Sequence, residues 1–209
     1  MGCPCDCNSK KVGRYRFKFS ASLVDGMDHR ENDKDQLVEA LNFYYPNRIL
    51  NGIEIGTMCA ATTLKILERC KVEKLITIDA WKHMSGKGHE AENSQDWHDN
   101  ERKIALNVLK PYANRVSIMR MHSHDALQYI KTTEEQFDFI WIDGGHDFLT
   151  VVGDLENSWP LLKKDGFIGG TNFMQILEVT VAVGKFFKEK NLPFKKGGDF
   201  TWWYKHESS

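Results

Sequence analysis

The sequence has no uninterrupted apolar stretch approaching the about 20 residues that a membrane-spanning helix needs, and no apolar run follows its N-terminus. The first absence excludes a helical span; the second argues against a secretory signal, so the cytoplasm is the expected location. Charge of one sign is not in excess either: 28 lysines and arginines face 29 aspartates and glutamates, for a formal net charge of -1. A surface built mainly to hold nucleic acid or an acidic membrane is therefore not expected. The Gly-x-Gly-x-x-Gly run that seats a dinucleotide pyrophosphate is missing, as is the Gly-Lys-Ser/Thr loop that cradles nucleotide phosphates. Internal repeats and low-complexity blocks are lacking too.

Cysteine is scarce and unevenly placed. Of five, Cys3, Cys5 and Cys7 fall in the first seven residues, while Cys59 and Cys70 fall in a predicted helix. An odd count without an export signal points to reduced thiols. The alternating trio is spaced too tightly for an ordinary zinc clip. The Met-Gly-Cys start is similar to acylated N-termini, but Asp6 stands where that pattern wants serine or threonine. Residues 1–30 read as a cysteine-rich tail and arm, in which Tyr15, Phe17 and Phe19 alternate with Arg14, Arg16 and Lys18. Residues 31–209 read as one domain, since a chain of 209 residues holds one substantial core with little left for a second.

That domain alternates strands and helices. Leu37, Val38, Leu41 and Tyr45 form a helical stripe that Pro46 stops. Strands are then predicted over 48–55, 74–78, 115–121, 137–142 and 166–169, and helices over 57–70, 101–109, 125–131, 149–162 and 174–190. Two short strands, 192–195 and 200–204, look like a hairpin turned by Gly197 and Gly198. Such alternation implies right-handed crossovers and a mostly parallel sheet covered on both faces. The long irregular stretch 81–100 reads as a lid loop, with His83, His89 and His98 as solvated residues whose spacing matches no metal clip.

In open α/β sheets ligands collect outside the carboxyl ends of the strands. The apolar run Phe139 to Ile142 ends there in Asp143-Gly144-Gly145-His146-Asp147. Asp143 and His146 are thus placed for a site, although Asp143 could equally cap the following helix. At the first strand end, Gly56 lets a ligand approach the backbone, and Glu54 would repel phosphates and favour a cation. Asp79 closes the second strand, where an acid can accept both hydroxyls of a ribose.

Glu54-Ile55-Gly56-Thr57, Ile78-Asp79-Ala80-Trp81, Ile142-Asp143-Gly144-Gly145-His146 and the stretch Leu161 to Gly170 resemble, in order, the successive motifs of class I S-adenosylmethionine-dependent methyltransferases. The likeness covers about residues 35–205 and is similar, more finely, to the macrocin-type sugar O-methyltransferase group. It implies a Rossmann-like doubly wound sheet of seven strands, order 3-2-1-4-5-7-6, with strand 7 antiparallel. It implies that Glu54, Gly56, Thr57 and Met58 meet the methionine part of the donor, and Asp79 with Ala80 its ribose. His122 and Ser123 become candidate adenine contacts, Ser123 being readable as a helix cap as well. Trp81 would stack on adenine or shape the acceptor side.

The same likeness gives His146 the role of general base and Asp143 a place both in catalysis and in binding a magnesium ion. Here the sequence departs from the pattern: Thr171 and Asn172 stand where the relatives carry an acidic or His-Asp pair, so Asn172 is the remaining metal candidate and the ion is an option rather than a requirement. The expected acceptor is a sugar hydroxyl, in a glycan or glycosylated metabolite. A catechol-like acceptor with magnesium and a donor-binding module without chemistry are the alternatives. Neither a nucleic-acid partner nor a membrane span is expected, and a homo-oligomer is compatible with the sequence.

Overall fold

Strand β4 (Phe137–Ile142) is buried along its whole length, and a strand with both faces covered needs partners on each edge and helices above and below. The computed structural model, which describes residues 33–83 and 93–206, supplies them. β4 lies between β1 (Leu50–Ile55) and β5 (Leu162–Gly170), parallel to both. Beyond β1 follow β2 (Val72–Ile78) and β3 (Val116–Met119), again parallel. Beyond β5, β7 (Trp202–Lys205) runs antiparallel and pairs on its other side with the two-residue β6 (Lys195–Lys196). The order is therefore 3-2-1-4-5-7-6, with the antiparallel strand where the resemblance puts it.

Successive strand residues point to opposite faces, and this sorts the core into two layers. Ile53, Ile55, Ile140, Ile142 and Ile168 face α4 (Ser123–Lys131), α5 (Phe148–Ser158) and α6 (Leu177–Glu189), meeting Leu127, Leu155 and Val183. Leu50, Phe139, Trp141 and Phe167 face the other way, towards α1 (Asp33–Tyr44), α2 (Ala61–Arg69) and α3 (Gln95–Leu109), meeting Leu41, Ile66 and Ala105. Gly52 is part of this fit: a Cβ there would stand 2.1 Å from the Phe139 ring.

The other acid of β4, Asp138, is accounted for structurally. It is 1 % exposed, pairs with Arg48 at 2.6 Å and Lys163 at 3.0 Å, and accepts from the Asn51 N–H at 2.8 Å. This network sits near the amino end of β4, away from the strand ends that carry Asp143.

Several element boundaries differ from expectation: β5 begins at Leu162 rather than at position 166, α5 ends at Ser158 rather than at 162, and α6 begins at Leu177 rather than at 174. The second helix starts at Ala61 rather than at position 57, because Met58 and Ala60 take left-handed backbone angles, φ 45° and 68°, that a helix cannot include. The third starts at Gln95, six residues earlier than predicted: the Ser94 side chain caps it by accepting from the Trp97 N–H at 3.2 Å. Residues 95–100 are thus helix and not lid, and His98 is buried on α3 rather than solvated. His89 and the middle of the expected lid lie outside the described residues, as do the N-terminal arm and the Cys3, Cys5 and Cys7 trio. Cys59 and Cys70 are buried, and neither is in a disulfide. No helix among the described residues is long and apolar enough to cross a membrane.

Candidate functional site

The strand order reverses direction between β1 and β4, and that seam is where a crevice opens at the carboxyl edge of a doubly wound sheet. The backbones close tightly there. The Asp143 N–H donates to the Ile55 carbonyl and the Gly56 N–H to the Ile78 carbonyl, each at 2.8 Å. Gly56 has φ 94°, and a Cβ on it would fall 2.0 Å from the Asp143 carbonyl oxygen. Only glycine combines that angle with that approach.

The turn from β1 into α2 is latched by Asp79. One carboxylate oxygen accepts from the Met58 N–H at 2.8 Å and the other from the Trp81 N–H at 2.7 Å. Trp81 returns the latch, its indole N–H donating to the Met58 carbonyl at 3.0 Å. Asp79 and Ala80 remain half-buried, so the ribose-binding reading keeps an accessible carboxylate. Helix α2 has no side-chain cap, leaving the N–H groups of its first turn to other partners.

Three of the expected donor contacts, Glu54, Thr57 and Trp81, turn out to be internal. Glu54 is 0 % exposed, and its carboxylate accepts from the Thr63 hydroxyl at 2.5 Å and the Thr77 hydroxyl at 3.0 Å. It braces the turn from beneath instead of offering charge to a ligand. Thr57, equally buried, hydrogen-bonds the same Thr77 hydroxyl. Trp81 is 1 % exposed and packs in the core with Leu50, Leu75 and Trp141, so its ring has no free face for adenine; what it can do is fix the turn. Gly56, Met58, Asp79 and Ala80 stay at the crevice.

At the end of β3, His122 is the residue before α4 and makes no side-chain cap bond, and Ser123 is the first helical residue. The Ser123 side chain instead acts on Asp154, a residue of α5 that the sequence pattern does not single out, by favouring its ionised form. Asp154 is 2 % exposed, its Oδ2 has no hydrogen-bond partner, and that oxygen lies 3.8 Å from where a Cβ on Gly144 would sit. Burial pushes its carboxyl up to about 7, with Asp147 adding to the rise and Ser123 opposing it. An acid on the Val151–Leu155 apolar stripe of α5 was the one sequence signal available.

Asp143 is not the cap of α5; Asp147 is, accepting from the Thr150 N–H at 3.0 Å. The Asp143 carboxylate accepts instead from the Thr171 hydroxyl. That hydroxyl also lies 2.7 Å from Asn172 Oδ1, which in turn meets His146 Nε2 at 3.0 Å. Asp143, Thr171, Asn172 and His146 therefore form one connected chain across the ends of β4 and β5. The chain stands over a small recess lined by Asp143, Gly144, His146, Val151, Thr171 and Val179.

These residues do not suit magnesium. The corner holds a single carboxylate, whose oxygen already takes the Thr171 hydroxyl proton, and the amide oxygen of Asn172 faces His146 Nε2. Among the described residues no group of three histidine, cysteine, aspartate or glutamate side chains could hold a metal ion. Asp143 and Asn172 thus make a poor set of ligands for that ion.

Strain marks the same edge. Of the eight non-glycine residues with positive φ among the described residues, Met58, Ala60, Trp81, Asn172 and Met174 lie in the segments that follow β1, β2 and β5, while Glu134, Asn191 and Phe200 lie elsewhere. Such angles persist where the surrounding structure fixes them, and they concentrate at ligand sites.

A search of curated proteins finds no match. Among solved structures the fold recurs in the O-methyltransferase NovP, at 11 % identity over 84 % of this chain and 79 % of that one, with TM-score 0.61. It recurs in the calicheamicin methyltransferase CalS11, at 10 % identity over 83 % and 78 % of the two chains, TM-score 0.59. An O-methyltransferase from Bacillus cereus solved with S-adenosylhomocysteine gives 18 % identity, 84 % and 81 % coverage and TM-score 0.59. At such identities the likeness is one of fold. A family profile described as "Methyltransferase domain" matches residues 53–172, more than half of the sequence and the whole span from β1 to the His146–Asn172 pair. The chain belongs to the methyltransferase domain family, and by that membership it is an S-adenosylmethionine-dependent methyltransferase.

Proposed function

We propose that this protein transfers a methyl group from S-adenosylmethionine to a hydroxyl of a sugar, in a glycan or a glycosylated metabolite, with His146 as general base. The observation that carries the reading is the position of His146: at the β4 edge, across the seam from the Gly56–Asp79 turn, with its ring held by Asn172 at 3.0 Å. The sulfonium donor supplies an electrophilic methyl group. In the transfer the methyl carbon's bond to sulfur breaks as its bond to the acceptor oxygen forms, and the hydroxyl proton goes to the imidazole. Gly56, Met58, Asp79 and Ala80 would hold the donor, with His122 and Ser123 near its adenine. Holding two reactants in line is the larger part of what such a site contributes.

A sugar acceptor is supported by one structural neighbour in particular, the TDP-rhamnose 3'-O-methyltransferase CalS11 of calicheamicin biosynthesis. The catechol-type alternative depends on a magnesium corner that Thr171 and Asn172 do not build. Chelator treatment should therefore leave turnover unchanged, and readdition of magnesium should restore nothing; a tenfold loss reversed by magnesium would revive the alternative. An inactive donor-binding module has no need of an oriented imidazole beside the seam.

The direct experiment is calorimetry with S-adenosylmethionine and its demethylated product, followed by mass spectrometry of a glycan and glycoside panel incubated with the donor. Binding of both and a one-methyl mass gain on a hydroxyl are expected. No affinity for either ligand would end the proposal. Asp79→Ala removes a charged acceptor that also holds the Met58 and Trp81 N–H groups, so donor affinity should fall by about 10- to 100-fold, as for other hydrogen bonds to charged groups. Unchanged affinity would remove Asp79 from the site.

A further inference from the structure

The loop after β5 is tied to itself and to α6. The Asn172 carbonyl accepts from the Gln175 N–H at 3.2 Å and the Ile176 N–H at 3.0 Å, and the Met174 N–H donates to the Thr180 hydroxyl at 2.8 Å. Asn172 is left-handed, φ 63°, which turns its side chain back towards β4. In this arrangement the two ends of its amide have different partners. Nδ2 donates to Gln175 Oε1 at 2.8 Å, while Oδ1 faces His146 Nε2 at 3.0 Å with the Thr171 hydroxyl 2.7 Å away.

An amide oxygen only accepts, so the ring nitrogen facing it must carry a proton. A neutral imidazole has one N–H. We propose that Gln175, acting through Asn172, holds His146 in the Nε2–H tautomer, so that Nδ1 is the atom that takes the acceptor's proton. Gln175 is a positioning residue: it touches neither donor nor acceptor, and it selects which nitrogen is basic. The inference rests on His146 being the base, but the tautomer itself exists without any substrate. Gln175 is exposed, so replacing it leaves the core intact.

The test is a two-bond proton-nitrogen correlation spectrum of the full chain labelled with 15N-histidine, recorded where the ring is neutral, with His146 assigned by loss of its signals in His146→Ala. Wild type should show a pyrrole-type Nε2 and a pyridine-type Nδ1. Gln175→Glu places an obligate acceptor beside Asn172 Nδ2 and should retain that pattern. Gln175→Leu lets the amide turn over and should give mixed tautomers. Asn172→Gly, which keeps the left-handed backbone available, should do the same. Turnover should fall about 10- to 100-fold in Gln175→Leu, as when other orienting partners of a histidine are lost, and be rescued by Gln175→Glu, with the donor dissociation constant unchanged in both. A pyrrole-type Nδ1 in wild type, or an unchanged spectrum in Gln175→Leu, would overturn the proposal. If the tautomer is as stated but no hydroxyl acceptor is ever methylated, the functional reading falls and the assignment of the ring proton stands.

Discussion

His146→Ala should lower turnover by about 10²- to 10⁴-fold while leaving the affinity for S-adenosylmethionine unchanged, the range expected when a positioned base is removed from a proton transfer. The two effects separate because they belong to different strands. Donor binding is assigned to the turns after β1, β2 and β3, where Asp79 latches Met58 and Trp81. His146 follows β4, and its ring meets Asn172, beyond β5. A hydroxyl attacking a sulfonium carbon must shed its proton as the bond forms, and without the imidazole that proton has only water to go to. The measurement is single-turnover rate beside calorimetric donor affinity. An unchanged rate would dismiss His146 as base, and a parallel loss of donor affinity would show that the substitution disturbed the seam itself.

The second large effect concerns stability rather than rate. Burial raises the Asp154 carboxyl from its ordinary 3.8 to about 7. Between those two values the folded protein holds a proton on Asp154 that the unfolded chain has released. Stability from this group is therefore fully present below the unfolded pKa and is lost as pH rises through the folded one. The slope is about 1.4 kcal/mol per pH unit, and the full loss about 4 kcal/mol. Asp154→Asn keeps an oxygen for Ser123 and cannot ionise. Urea unfolding of both proteins at pH 5 and pH 8 is the check. The difference between the two pH values should be about 3 kcal/mol more unfavourable in wild type than in the variant, since part of the loss has already occurred at pH 5, with every other titrating group cancelling in the comparison. Identical pH dependence would show that Asp154 titrates normally.

How much of this was readable beforehand depended on whether a signal is carried by pattern or by backbone angle. β4 is predicted residue for residue, because Phe137 to Ile142 is apolar and β-prone without interruption. The strand order followed from a resemblance in motif order, not from periodicity. Helix α3 was shortened because Gln95, Asp96, Asp99 and Asn100 give its first turns no apolar stripe; the cap at Ser94 was the clue. The late start of α2 and the inward turn of Asn172 rest on positive φ at residues other than glycine, which composition does not announce. Glu54 and Trp81 were expected at a ligand and are found as supports, because a motif gives a position in the chain and not the direction in which a side chain leaves it. Asp154 and Gln175 were missed for a related cause: each matters only through a residue from a distant part of the chain, Ser123 for one and His146 for the other.

The rim of the sheet has a consequence for life in a crowded solution. Among the described residues its outermost strands are β3, with four residues, and β6, whose two residues are both exposed lysines. A foreign strand seeking unsatisfied peptide groups finds only a short ladder on one side and positive charge on the other, and such borders are the ones natural sheets use to resist runaway stacking into fibrils.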